Sequence, residues 1–206
     1  LMLRSSAPLH DPSGTVACFA DATGNWLPLV CIQNCAMIPA EILNSYDTSN
    51  QGDAVAAITA EASQEAVGCE GVTILPYFSG GERTPDLSQA SGAILGLRHG
   101  HLQRKGLLYR AALESVTYAL LRGYRQLQIM QSQDEVEEVI VVGGGAANYL
   151  WRQIIADTFQ LPVRLPDAKT AGSAGALGAA LQAAAVVCNV PVGSITLQQI
   201  SSSDDQ

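Results

Sequence analysis

Three consecutive glycines, Gly143-Gly144-Gly145, stand between a β-branched run, Val139-Ile140-Val141-Val142, and a helical pattern that begins at Ala147. Each ordered glycine costs roughly 0.5–1 kcal/mol of backbone entropy relative to alanine, so three together need a reason. A tight strand-to-helix turn accounts for one of them. Three point to a ligand brought against bare main chain at a helix N-terminus, where amides and the helix dipole favour an anion and Cβ atoms would obstruct. A purely structural turn is the competing explanation. Asn148 is placed either to cap the helix or to hydrogen-bond that ligand, and both roles stay open.

Two further segments carry weaker signals. Gly80-Gly81-Glu82-Arg83-Thr84-Pro85 sets a charged pair between glycines and a proline on a loop leaving a strand. Such loops often hold functional groups in place. An internal Glu82–Arg83 ion pair that fixes the loop is favoured over direct phosphate contact. In Ser173-Ala174-Gly175-Ala176-Leu177-Gly178-Ala179-Ala180, glycines three apart on a helix permit close approach of a backbone or a ligand, with core packing as the default. A P-loop is excluded, because no Gly-Lys-Ser/Thr occurs and Lys105 and Lys169 are the only lysines. A dinucleotide-binding turn is a near miss: Gly143-x-Gly145 is followed by Asn148 where a third glycine should stand, with Asp167 after the next short strand. Against it, the turn comes after most of the sheet.

The elements that must position these residues follow from periodicity. Residues 1–4 are apolar and extended. Residues 16–20 and 26–30 are β-like and joined by the turn-rich Asp21-Ala22-Thr23-Gly24-Asn25, which predicts a hairpin. Residues 49–66 read as an amphipathic helix, 72–77 as a strand, and 107–130 as the longest helix. Residues 136–142 read as a strand buried on both faces, 147–159 as helix, 162–165 as a short strand, and 172–187 as an Ala/Gly-rich helix. The tail at 201–206 is polar, and fraying is expected there. Three opening strands followed by alternating helices and strands predict a mixed α/β sheet with helices on its faces.

The chain has 206 residues, of which 48% are hydrophobic and 15% charged, with a formal net charge of −8. That excess of acid argues against a nucleic-acid binder, which needs a basic face. No apolar run reaches the roughly 18–20 residues of a membrane span. Five cysteines without a CxxC pair fit a reducing, cytoplasmic setting better than a secreted scaffold. Cys31 and Cys35 lack a histidine at zinc-site spacing, so no metal site is assigned. His99 and His101 flank Gly100 in a polar loop, where solvated side chains are expected.

Taken in order, these segments resemble the C-terminal half of the FGGY carbohydrate kinases, most closely the xylulokinase group. The resemblance rests on Leu75-Pro76-Tyr77-Phe78-Ser79-Gly80-Gly81-Glu82-Arg83-Thr84-Pro85, Gly96-Leu97 and Arg110-Ala111-Ala112-Leu113-Glu114. It continues through Gly143-Gly144-Gly145-Ala146, Trp151-Arg152-Gln153-Ile154-Ile155-Ala156-Asp157 and Ala176-Leu177-Gly178-Ala179-Ala180. The resemblance implies an actin-like, ribonuclease-H-like ATPase domain over residues 1–190, a mixed sheet with helices on both faces, and a polar tail at 191–206. It implies ATP and Mg²⁺ as cofactors, with Gly143, Gly144, Gly145, Ala146 and Asn148 in the adenosine-binding segment. The sugar, D-xylulose or another ketopentose, would be held chiefly by an N-terminal domain that this chain lacks; a homodimer is left open, and neither nucleic acid nor membrane is implied as a partner.

The family's catalytic aspartate lies in a glycine-rich segment, and none of Asp11, Asp21, Asp53, Asp86 or Asp157 has that context, so no catalytic residue is assigned. The segment Met37-Ile38-Pro39-Ala40-Glu41 departs from the family's pattern beside the nucleotide, and Ser173 stands where many relatives carry an acid. The rival readings are a non-catalytic actin-fold binding or assembly module and a Rossmann-type dinucleotide-binding fragment.

Overall fold

The computed structural model describes residues 1–46, 51–130, 136–166 and 174–195, with side chains omitted at 51–53 and 174. The opening hairpin forms as the turn chemistry requires: β1 (Val16–Ala20) and β2 (Trp26–Val30) pair antiparallel, Val16 opposite Val30 and Ala20 opposite Trp26. The Asp21 carboxylate accepts the amides of Thr23 at 2.7 Å and Asn25 at 2.8 Å, which closes the turn. Residues 1–5 run antiparallel along the other edge of β2, through bridges at Met2–Leu29 and Ser5–Trp26.

Helix α1 (Met37–Asn44) buries Ile38, Pro39, Ile42 and Leu43. Pro39 lies in its first turn, where a missing N–H costs nothing. Helix α2 (Gln51–Ser63) ends three residues before the expected 66 and buries Ala54, Ile58 and Ala62 at four-residue spacing, and positions 49 and 50 lie outside the described residues. Strand β3 (Thr73–Leu75) pairs antiparallel with β4 (Ala93–Leu95), a strand not anticipated from the sequence. The chain then enters α3 (Lys105–Met130), the 26-residue axis of the fold.

Every residue of α3 from Gly106 to Thr117 is buried, because α1, α2, α4 and β3 pack around it. Its expected apolar stripe holds at Leu108, Ala111, Ala112, Ser115 and Leu127, whereas Tyr118 and Arg122 face outward. A buried pair on this helix, Arg110 Nε to Glu114 Oε1 at 2.8 Å, ties it to the turn that follows α2: Glu114 Oε2 accepts the Gly68 amide at 3.1 Å. Helix α4 (Tyr149–Phe159) sends Leu150, Trp151, Ile154, Ile155 and Phe159 into the same core.

Several expectations are corrected. The described residues contain three separate two-stranded pairs rather than one continuous mixed sheet. The run at 136–142 is not a strand buried on both faces: among the described residues β5 (Val139–Ile140) pairs, in parallel, with β6 (Val163–Arg164) alone, and Ile140 is 49% and Val142 67% exposed. Helix α5 (Ala174–Cys188) has Val186 81% and Val187 85% exposed, and among the described residues nothing lies within 4 Å of a Cβ placed on Gly175 or Gly178, so the expected close packing on its glycines is not seen there. His101 is not solvated. It is 4% exposed, its Nδ1 accepts the Arg98 amide at 3.1 Å, and its Nε2 lies 3.4 Å from Glu70. Asp167, Ser173 and the expected tail at 201–206 lie outside the described residues. Among the described residues, no helix is long and apolar enough to cross a membrane.

Candidate functional site

The glycine segment after β5 does not run straight into α4. Gly143, at φ 87° and ψ −174°, turns the chain in a conformation that side chains disfavour, and a single 3₁₀ turn follows over Gly144–Ala147. Helix α4 therefore starts two residues later than the expected Ala147, at Tyr149. The glycines sit one short turn upstream of the helix rather than on its first amides. Space, not the helix dipole, is what they provide. A Cβ on Gly143 or Gly144 would meet nothing within 4 Å, whereas one on Gly145 would come within 2.5 Å of the Trp151 ring.

Asn148 makes the capping bond, one of the two roles the sequence left open. Its Oδ1 accepts the Trp151 amide at 3.0 Å, the bond of a helix N-cap. Its Nδ2 donates to Thr59 Oγ1 and to Tyr109 Oη, both at 3.1 Å. The side chain is 8% exposed and its hydrogen-bonding groups are committed inside the protein. Asn148 thus caps α4 and pins it to α2 and α3. Trp151 is held in turn: its indole Nε1 donates to Thr117 Oγ1 at 3.0 Å.

Around this knot lies a cleft of about 490 Å³, a size ordinary for small-molecule sites. Its walls come from α1 (Pro39, Ala40, Leu43), from α2 (Val55, Thr59), from Tyr109 of α3, and from Gly144, Gly145 and Trp151. Of the five residues singled out from sequence, Gly144, Gly145 and Asn148 line it, while Gly143 and Ala146 do not. Ala146 instead offers its carbonyl to Arg152 Nη1 at 2.6 Å. The lining is mostly apolar with a polar floor of Thr59, Tyr109 and Asn148, and among the described residues it contains no carboxylate. The sequence reading missed Thr59 and Tyr109. The signal available was a tyrosine within an otherwise apolar helical stretch, since a buried ring needs a partner for its hydroxyl. Burial pushes the Tyr109 phenol upward, against the opposing effect of its bonds to Thr59 and Asn148. The departing segment Met37-Ile38-Pro39-Ala40-Glu41 supplies one wall through Pro39 and Ala40, and Glu41 points away, exposed. A second hollow, about 530 Å³, runs along α4 and β6 between Tyr149, Arg152, Gln153, Val163 and Leu165, without any of the glycines.

The loop after β3 behaves differently from the expected internal ion pair. Arg83 is exposed, and Glu82, 3% exposed, turns its carboxylate to the backbone. Glu82 Oε1 accepts the amides of Gln33 and Arg83, both at 2.7 Å, and Oε2 accepts the amide and Nδ2 of Asn34, both at 3.1 Å. Burial by itself would raise the Glu82 pKa, but the amides of Gln33, Arg83 and Asn34 outweigh it and hold the carboxyl below its ordinary value.

Residues 11–187 match the FGGY family of carbohydrate kinases, C-terminal domain. The chain is 37% identical over 177 residues to the xylulose kinase of Streptomyces rubiginosus, a match covering 86% of this chain and 33% of that protein. It is 34% identical over 186 residues to the xylulose kinase of Haemophilus influenzae, covering 89% of this chain and 35% of the relative. In structure it is similar to the xylulose kinase of Bifidobacterium adolescentis, with a TM-score of 0.70 at 27% identity over 91% of this chain and 35% of the other. The chain spans about a third of the length of the curated relatives it matches. With a mixed α/β architecture and this match across most of its length, the chain belongs to the FGGY family of carbohydrate kinases, as a C-terminal domain of that family.

Proposed function

We propose that this chain is the nucleotide-binding part of an ATP-dependent sugar kinase, in which an actin-like domain presents ATP so that its γ-phosphoryl group passes to a hydroxyl of a ketopentose, D-xylulose first among them. The observation that carries this reading is the cleft beside Gly144 and Gly145. It has apolar walls suited to a flat base and a bare main-chain rim where the amides of Gly144 and Gly145, the first two of a 3₁₀ turn, have no carbonyl partner within that turn. Gly143 lets the chain double back to form that rim, and Ala146 and Asn148 hold its far end. Xylulose as acceptor is drawn from the relatives, which are xylulose kinases over the matched region.

Bound ATP supplies the transferable phosphoryl group, and the residues described here bind and orient it. Among the described residues no three His, Cys, Asp or Glu side chains converge on a common point. They provide no cage for Mg²⁺, and we derive no step through the metal. Phosphoryl transfer also needs a group near the attacking hydroxyl to take its proton. With no carboxylate among the described residues that line the cleft, these 206 residues by themselves are expected to bind ATP weakly and to leave D-xylulose unphosphorylated. Calorimetric titration of the 206-residue chain with ATP and Mg²⁺, beside a coupled assay with D-xylulose, tests this. Binding without turnover is the expected result. A folded chain with no ATP binding favours the non-catalytic module, and tighter binding of NAD than of ATP favours the dinucleotide-binding fragment.

A further inference from the structure

We propose that Glu82 is a positioning residue for the cleft: its buried carboxylate fixes the turn at Gln33 and Asn34 from which α1 is aimed, and so sets the wall formed by Pro39, Ala40 and Leu43. This inference rests on the nucleotide reading of the cleft for its effect on binding, but not for its effect on α1.

The geometry is direct. Glu82 and Gln33 are 49 residues apart, yet 2.7 Å separates the carboxylate from the Gln33 amide. Asn34, fully buried, is held from three directions. Its amide and Nδ2 donate to Glu82 Oε2, its Nδ2 also donates to the Gly81 carbonyl at 2.7 Å, and its Oδ1 accepts from the Ser79 amide at 3.1 Å and hydroxyl at 2.5 Å. Two residues beyond Asn34 the chain reaches Ala36, which lines the cleft, and α1 begins at Met37. Ala36 makes no side-chain cap bond, so the start of this eight-residue helix is fixed from outside, and the Glu82 bonds on the preceding turn are what fix it.

Both carboxylate oxygens accept from at least two donors, and this makes the charge, not merely the size, necessary. In Glu82→Gln the new amide must face either Gln33 and Arg83 or the two donors of Asn34, so donor meets donor in both orientations. Leaving a buried donor without an acceptor is costly, and the relief available is for the turn to swing away, carrying α1 with it.

The test compares the wild-type chain with Glu82→Gln at a temperature where circular dichroism shows both folded, reading amide hydrogen exchange in α1 and α4 and the affinity for ATP. The expected result is exchange about tenfold faster or more in α1 with α4 unchanged, together with ATP binding weaker by about tenfold, as a displaced wall would cause. A carboxylate that serves stability alone would lower the melting temperature and leave both readings unaltered below it. Unchanged exchange in α1 and an affinity within about twofold of wild type overturn the proposal. Should Glu82→Gln not fold, Asn34→Ala, which removes the side-chain donor to Oε2, is judged by the same two readings. Should the wild-type chain bind no ATP, the nucleotide reading falls, and the exchange in α1 still decides whether Glu82 holds that helix.

Discussion

Two glycine-bearing loops follow short strands in this protein, and they come to opposite ends. The loop after β3 closes on itself: the Gly81 amide donates to the Ala90 carbonyl at 2.8 Å, and Glu82 and Leu87 exchange a pair of backbone bonds at 3.0 and 2.9 Å. A carboxylate fills its centre and takes up further amides. The loop after β5 has no such centre. The backbone bonds that bound its 3₁₀ turn, Ala146 to Gly143 at 3.0 Å and Asn148 to Gly145 at 3.1 Å, stay within the loop, and the space beyond Gly143 and Gly144 is open. Glycine content alone does not separate a closed loop from an open one. What separates them is whether a buried acceptor consumes the main-chain donors.

The largest effect that bears on this contrast is expected at the far end of the open loop. Asn148→Ala removes a helix cap worth about 1 kcal/mol and two buried hydrogen bonds worth roughly 1 kcal/mol each, so a loss of about 3 kcal/mol is expected in urea unfolding. A loss below about 1 kcal/mol would show that the knot with Thr59 and Tyr109 does not anchor the loop. Next in size, Gly143→Ala should cost about 2 kcal/mol, since its backbone region is one that only glycine occupies freely. Gly144→Ala, with open space and no positive φ, should stay within about 0.5 kcal/mol in the same experiment. Equal costs at the two positions would erase the distinction between a conformational glycine and a spatial one.

The smallest effect is a slope, and it belongs to the closed loop. The folded-state pKa of Glu82 is lowered, so its ionisation contributes stability at pH above the ordinary glutamate value of about 4.3. That contribution fades as the pH falls through the lower folded-state value. The melting-temperature gap between wild type and Glu82→Gln should therefore be constant near neutrality and narrow on acidification. A gap independent of pH down to strong acid would mean that the carboxylate's charge plays no part in closing the loop.

Much of this was legible in the chain itself, for local reasons. The hairpin bounds at 16–20 and 26–30 follow from two β-like runs on either side of an Asx-type turn, and the turn's bonds never leave five residues. The long helix follows from its repeat, and the family from an ordered set of short motifs. Legibility failed where a partner lies far away in sequence. Adjacency pairs Glu82 with the Arg83 side chain, but its carboxylate reaches Gln33 and Asn34 and meets only the main chain of Arg83; a polar loop suggests a solvated His101, but Glu70 and the Arg98 amide enclose it. The run at 136–142 has the composition of a fully buried strand, yet burial is conferred by neighbours, and among the described residues only β6 pairs with it.

The sequence by itself determined which segments curl, extend or turn, because those preferences are settled by contacts within a few residues. Tertiary structure alone decided that Asn148, besides capping α4, bonds to Thr59 and Tyr109, that Pro39 and Tyr109 share a cleft with Gly144 and Gly145, and that Glu82 reaches back 49 residues to aim α1. Such pairings depend on where the packing of α1, α2 and α4 around α3 brings distant atoms together, and a buried donor or charge finds its partner only once that packing exists.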